Sequence, residues 1–184
     1  AAHLYTERAI RRCVELGVHT LEHCNLIEPD PAKLAAGKGC IAVPTLVAYE
    51  GLWLDGKALG LGPAEFEKID VVRSGGLRSL QIMRDAGLPM AFGSDLLGDL
   101  RKYHCMEFEL LAKVLTPAEI IRSATIVGAE LCRMTGEVGV IAAGAHADLL
   151  VVDGDPLADL TLLQGDGQHF PLILRGGRIF KDQL

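Results

Sequence analysis

The stretch GLPMAFGSD, residues 87–95, ends an apolar run with a carboxylate. Apolar residues bounded by glycines are typical of a strand that is buried on both faces, as in a parallel sheet. The run stops at Gly93 and Ser94, and the side chain of Asp95 follows directly. An ionised carboxylate beside a buried strand needs a partner. The stretch therefore predicts a buried strand whose last residue either binds something positive or, more plainly, caps a following helix.

Strands and helices alternate before this stretch. VHTLEH (18–23) and CIAVPTL (40–46) predict strands, and the first three residues resemble the end of another. Residues 6–17 and 28–39 predict helices that end at glycines. Such alternation indicates right-handed crossover units and a parallel sheet, so the fold class is α/β.

The pattern changes after this series of strands. A long loop with a helical insertion (47–86) precedes the last strand, and residues 108–134 are helical in pattern. From Gly136 onward, β-branched runs separated by Asp-Gly and Gly-Gly turns predict a small antiparallel sheet. We therefore predict two units, residues 1–135 and residues 136–184.

Composition excludes several classes of protein. A formal charge of −6 and the lack of a Lys/Arg-rich block argue against binding to nucleic acid or to an anionic membrane. No apolar run approaches the roughly 20 residues of a membrane span. The five cysteines are scattered and odd in number, which is typical of reduced thiols in the cytoplasm. Because the chain opens within an apparent strand, we expect it to be the C-terminal part of a longer protein.

Three polar side chains occupy matching places in this pattern. His3, His23 and Asp95 each close a predicted parallel strand. In a closed β/α barrel the carboxyl ends of all strands meet on the face that carries the active site. Two imidazoles and a carboxylate suit a divalent metal such as zinc. Each residue alone has a plainer interpretation, as a hydrogen-bonded structural histidine or a helix N-cap.

Four segments resemble the amidohydrolase superfamily, with imidazolonepropionase-like enzymes and cytoplasmic prolidase-like dipeptidases as the nearest branch. They are TLEHC (20–24), AFGSD (91–95), TPAEIIRSATIVGAELCRM (116–134) and GVIAAGAHADLLVVDGDPL (139–157). The last segment is the most specific marker, but in the family it belongs to a small β-sandwich and carries no chemistry. Asp148 and Asp153 are accordingly interpreted as structural.

The resemblance implies a metal-dependent-hydrolase (β/α)8 TIM barrel, present here as its C-terminal half (strands 5–8) plus part of the β-sandwich. It makes His3 the fifth-strand ligand, His23 the sixth-strand ligand and Asp95 the eighth-strand ligand of one or two divalent ions, with Zn²⁺ as the first choice. The family's first-strand His-x-His pair and fourth-strand lysine have no match in this chain. We therefore expect a partnership with an N-terminal half of the same enzyme, or self-association into a homo-oligomer.

The resemblance also implies a mechanism for cleaving a C–N bond. Asp95 would accept a proton from the attacking water and deliver it to the leaving nitrogen, while His23 or the metal polarises the carbonyl. Tyr5 lies two residues after His3, on the same face of a strand, and is a candidate for substrate binding. His104, in the loop after Asp95, is a second candidate. The alternative to substrate binding is, for Tyr5, packing at the start of a helix and, for His104, a position that faces solvent.

The sequence thus predicts a cytoplasmic, metal-dependent amidohydrolase that acts on a dipeptide, an N-acyl amino acid or a related small amide. Within the superfamily, a cyclic amidase or a deaminase is the nearest alternative. The rival from another class is a non-enzymatic fragment that keeps the fold and lacks the N-terminal metal ligands.

Overall fold

The computed structural model describes all 184 residues and begins with the predicted parallel sheet. Its strands β1 (Ala2–Thr6), β2 (Thr20–Leu26) and β3 (Ile41–Val43) pair in chain order, and both pairs are parallel. Helices α1 (Glu7–Glu15) and α2 (Pro29–Gly37) connect them. The alternation of strand and helix expected from the sequence is therefore present.

The predicted last strand is shorter than expected. It forms one parallel bridge to β3, in which the Ala42 N–H donates to the Pro89 carbonyl and the Ala91 N–H donates to the Ala42 carbonyl, both at 2.9 Å. The next amide, of Phe92, donates instead to the carbonyl of Ser123 at 3.1 Å. The pairing does not continue past Ala91, because the next donor on the β3 side would be the amide of residue 44, and Pro44 has no backbone N–H.

Helices fill the rest of the first part of the chain. The predicted insertion consists of two helices, and the segment predicted as helical over 108–134 is divided into three helices with a π-helical turn at Ser123–Val127. The five helices are α3 (Leu46–Asp55), α4 (Pro63–Asp85), α5 (Met106–Ala112), α6 (Pro117–Arg122) and α7 (Gly128–Leu131). Thr116 and Glu119 form a capping box at the start of α6, as the sequence TPAE indicates.

The antiparallel sheet at the C-terminal end of the chain also forms. Strands β4 (Leu149–Val151), β5 (Leu172–Arg175) and β6 (Arg178–Asp182) pair in that order. Gly176 and Gly177 join β5 to β6 with φ values of 54° and 75°, which a two-residue hairpin turn requires and glycine allows. The predicted division at residue 135 lies between the two sheets and stays a prediction.

The main apolar core lies between the parallel sheet and its helices. Ile10, Leu21, Leu80 and Leu111, from four different elements, are fully buried within one cluster. All five cysteines are unpaired. None of the helices has both the length and the apolar character that crossing a membrane requires.

Candidate metal centre

The three predicted metal ligands come together beside the parallel sheet, although His3 is the second residue of β1 and His23 the fourth of β2, so neither closes its strand as predicted. His3 Nδ1 lies 2.7 Å from His23 Nε2, and the same Nε2 lies 3.9 Å from Asp95 Oδ2. His23 is almost fully buried, whereas the Asp95 side chain is 47% exposed. His23 Nε2 is therefore the point on which the other two side chains converge, at the edge of solvent.

The orientation of His23 is set by a residue of the next strand end. Its Nδ1 lies 2.7 Å from the hydroxyl oxygen of Thr45, directly before α3. If Nδ1–H donates to that oxygen, Nε2 presents its lone pair to His3 and Asp95. Burial lowers the pKa of His23, as does His3, while Asp95 opposes them. A neutral imidazole with a directed Nε2 is the form that binds a metal.

Two tyrosines form one wall of the site. The Tyr5 ring stacks on the His23 ring at 5.0 Å with an interplanar angle of 5°. The Tyr49 hydroxyl donates to the Tyr5 hydroxyl at 2.6 Å, and the Tyr49 ring meets His23 edge-on. Burial and the bond to Tyr5 raise the pKa of Tyr49, so this phenol stays protonated. The Tyr5 hydroxyl is left with its own proton to donate.

Left-handed backbone conformations concentrate at this site. Only six residues other than glycine have a positive φ, and four of them lie here: His23, Cys24, Thr45 and Asp95, between 48° and 72°. Such conformations cost roughly 1–3 kcal/mol each and persist where the surroundings over-determine them. Thr45 is the most unusual, because a β-branched side chain disfavours this region most. This clustering is typical of a functional site.

A buried carboxyl group binds the backbone directly after Thr45. Glu107, in α5, is fully buried, and its two oxygens accept the backbone N–H groups of Leu46 (3.1 Å) and Val47 (2.7 Å). These are the first two residues of α3, directly after Thr45. Burial raises the pKa of Glu107 to about 7, against the effect of the two N–H donors.

His104, the other predicted substrate-binding residue, lies elsewhere. Its Nδ1–H donates to the carbonyl of Arg101 at 2.6 Å, and its Nε2 is 3.6 Å from Asp166. Its exposed ring forms no bond with His3, His23 or Asp95. The structure thus groups Tyr5 with the three metal-ligand candidates and separates His104 from them.

The donors at the strand ends fit a divalent ion. Imidazole nitrogen and carboxylate oxygen are the ligands that zinc takes in catalytic sites. With Nδ1–H of His23 donating to Thr45, Nε2 carries a lone pair and lies 2.7 Å from His3 Nδ1. At that distance His3 must donate an Nδ1–H hydrogen bond to Nε2, unless a cation binds both nitrogens. The hydrogen bond to Thr45 supplies the outer support that metal-binding histidines usually have.

The sequence interpretation did not identify Thr45 and Glu107, and it left open whether Tyr49 lines a pocket wall. Glu107 had a detectable signal, since it lies four residues before Leu111 and eight before Leu115, both buried, on one face of the helical pattern. A carboxylate in such an apolar stripe must have a partner. Thr45 and Tyr49 carry no comparable signal, because nothing in the local sequence indicates contacts with residues 22 and 44 positions away.

Comparison with known proteins identifies the family to which the chain is similar. The model of the amidohydrolase family matches residues 1–178. Ochratoxinase from Aspergillus niger is 25% identical over 186 residues, covering 98% of this chain and 38% of that protein. The crystal structure of a prolidase complexed with N-methylphosphonate-L-proline is 44% identical with a TM-score of 0.95, covering 99% of this chain and 45% of that one.

A crystal structure of another amidohydrolase is 49% identical with a TM-score of 0.96, covering all of this chain and 44% of that one. The chain therefore spans less than half the length of each of these relatives. The family model, in contrast, covers nearly the whole chain. This chain belongs to the amidohydrolase family.

Proposed function

We propose that the complete protein hydrolyses the amide bond of a dipeptide or an N-acyl amino acid, with Xaa-Pro dipeptides as the first substrates to test. The observation that carries this proposal is the convergence of His3 Nδ1 and Asp95 Oδ2 on His23 Nε2. The prolidase complex named above directs the choice of substrate.

His3 and His23 would hold a divalent ion, Zn²⁺ by preference, together with Asp95. The chemistry that such an ion supplies is a more acidic water and a polarised carbonyl. Whether one ion or two are held depends on ligands from outside this chain. His23, neutral because burial lowers its pKa, stays available as a ligand at neutral pH.

Asp95 would move the proton that amide cleavage requires. Its half-exposed carboxylate lies at the solvent edge of the site, where it can accept a proton from the attacking water. Delivery of that proton to the departing nitrogen turns it into an amine that can leave. The backbone at Asp95 is left-handed, and the carboxylate lies 3.9 Å from His23 Nε2.

Tyr5 would bind an oxygen of the substrate. It accepts a hydrogen bond from Tyr49 and retains its own proton, so it can donate to the carbonyl or carboxylate of a dipeptide. Its ring packs flat on that of His23, with the ring centres 5.0 Å apart. His104 would contribute to substrate binding only through a surface that also includes Asp166.

The rest of the site would come from an N-terminal half of the same enzyme, in the cytoplasm and as part of a homo-oligomer. In support, the chain covers less than half of its relatives, and β1 pairs with a neighbour along one edge only. Such an edge is a template for another strand. We propose the same half-barrel and β-sandwich division that the sequence predicts, at residue 135.

The test uses the full-length protein, its zinc content and its hydrolysis of a panel of Xaa-Pro dipeptides. Asp95→Asn keeps the shape of the side chain and removes the base, so we expect kcat to fall by at least 100-fold, in line with general acid–base contributions of about 10²–10⁴. Asp153→Asn is the control, since that residue is exposed and lies in the C-terminal part of the chain.

Unchanged hydrolysis in Asp95→Asn would remove that residue from the mechanism. Release of ammonia from a heterocycle, without dipeptide cleavage, would move the protein to the deaminase branch. A wild-type protein with neither metal nor activity would favour the non-enzymatic alternative.

A further inference from the structure

The start of α3 is capped in an unusual way. An N-cap threonine normally has an extended backbone, and its hydroxyl accepts an N–H from the first turn of the helix. Thr45 instead has φ 48° and ψ 45°, and its side chain forms no bond with α3. Its hydroxyl lies 2.7 Å from His23 Nδ1. The hydroxyl is thus available to the histidine only because it does not cap its own helix.

Glu107 takes over the role that Thr45 leaves. Its carboxylate accepts the N–H groups of Leu46 and Val47, two of the donors that a helix start leaves without partners. The contact spans 60 residues of sequence and is fully buried. When Glu107 is ionised, its charge also complements the positive end of the helix dipole. This external cap removes the competition between the helix and His23 for the threonine hydroxyl.

We infer that Glu107 is a positioning residue for His23, acting through the start of α3 and Thr45. While Glu107 binds the two amides, Thr45 stays in its left-handed conformation with its hydroxyl toward the imidazole. Without Glu107, the two amides lose their acceptors, and Thr45 is the nearest group that can replace it. The hydroxyl would then turn to the helix, and His23 would lose the partner that selects its tautomer.

The experiment measures His23 in full-length protein by two methods. Histidine ¹⁵N–¹H correlation spectra of the apoprotein report the tautomer, and competition with a chromophoric chelator reports zinc affinity. We expect wild type to show the Nδ1–H tautomer and Glu107→Gln to show a mixture. Zinc affinity should fall about tenfold, the low end of the range for residues that support metal ligands.

A matched control and a double-mutant cycle test the route of the effect. Glu119→Gln removes a carboxylate that likewise accepts a backbone N–H at a helix start, in α6, and should leave both readouts unchanged. Thr45→Val should lower zinc affinity about as much as Glu107→Gln. Because the two residues act in series, the double variant should lose no more than Thr45→Val alone.

Several results would overturn the inference. One is a Glu107→Gln variant that keeps the wild-type tautomer of His23 and the wild-type zinc affinity. The others are a loss of zinc affinity in Glu119→Gln similar to that in Glu107→Gln, and losses of zinc affinity that add in the double variant. Should Glu107→Gln not fold, Glu107→Asp takes its place, since the shorter side chain cannot reach both amides and should give the same changes.

The zinc measurement rests on the proposed function, whereas the tautomer measurement does not. A wild type that binds no zinc but keeps the Nδ1–H tautomer, lost in Glu107→Gln, refutes the function and supports the positioning role.

Discussion

Stability should depend on pH through Glu107, and the variant Glu107→Gln isolates this dependence. Burial raises the pKa of this carboxyl from 4.5 to about 7 in the folded protein. Between these values the unfolded chain has lost the proton that the folded protein still holds. Since the folded state binds more protons at this site, the contribution of Glu107 to stability is greatest below pH 4.5 and falls as the pH rises toward 7.

The structure sets the size of the effect. One pKa unit corresponds to about 1.4 kcal/mol, so a rise from 4.5 to about 7 corresponds to about 3 kcal/mol across this range. His23 acts in the opposite direction, because its lowered pKa costs stability as the pH falls below 6.5. Subtracting the variant's free energy of unfolding from that of wild type at each pH removes the contributions that the two proteins share. The pKa of His23, measured by histidine NMR in both proteins, corrects for any change that the substitution causes there.

The assay is urea unfolding of the full-length wild type and Glu107→Gln at intervals from pH 4.5 to 8. We expect the difference in free energy of unfolding to decrease by about 3 kcal/mol as the pH rises to 7, and then to level off. A difference that is constant with pH would show that Glu107 titrates alike in the folded and unfolded states, and would refute the reasoning from its burial.

Two further variants test the packing of the last strand and the role of the tyrosine wall. An added Cβ at Gly93 would lie 2.5 Å from Val43 Cγ1, so Gly93→Ala should lower the free energy of unfolding in urea by about 1–3 kcal/mol. Gly37→Ala, at the end of α2 with no atom within 4 Å of the added Cβ, should leave it unchanged or raise it by up to about 1 kcal/mol; an equal loss in both variants would contradict this account. Tyr5→Phe should raise KM for an Xaa-Pro dipeptide about fivefold through the loss of one hydrogen bond of about 1 kcal/mol, and an unchanged KM would exclude Tyr5 from substrate binding.

The alternation of strands and helices was predictable because it depends on local periodicity and on glycine and proline punctuation. The same holds for the hairpin at Gly176 and Gly177 and for the capping box at Thr116. The extent of the last strand was not predictable from its own residues, since its pairing stops where the neighbouring segment reaches Pro44, which has no backbone N–H to donate.

The candidate site was predictable to the extent that strand ends converge. Topology alone places His3, His23 and Asp95 at one edge of the sheet, and the distances agree with that prediction. The support around them was not predictable, because it depends on the left-handed backbone of Thr45 and on Glu107 reaching α3 from another helix. Both are tertiary effects that override what the local sequence favours.

The most direct test of a shared ion is anomalous diffraction at the zinc edge from crystals of the full-length protein grown with Zn²⁺. We predict an anomalous peak about 2.0–2.1 Å from both His3 Nδ1 and His23 Nε2, the usual distance from zinc to an imidazole nitrogen. A map with no peak at these atoms, and with the two imidazoles still hydrogen-bonded to each other, would contradict the account.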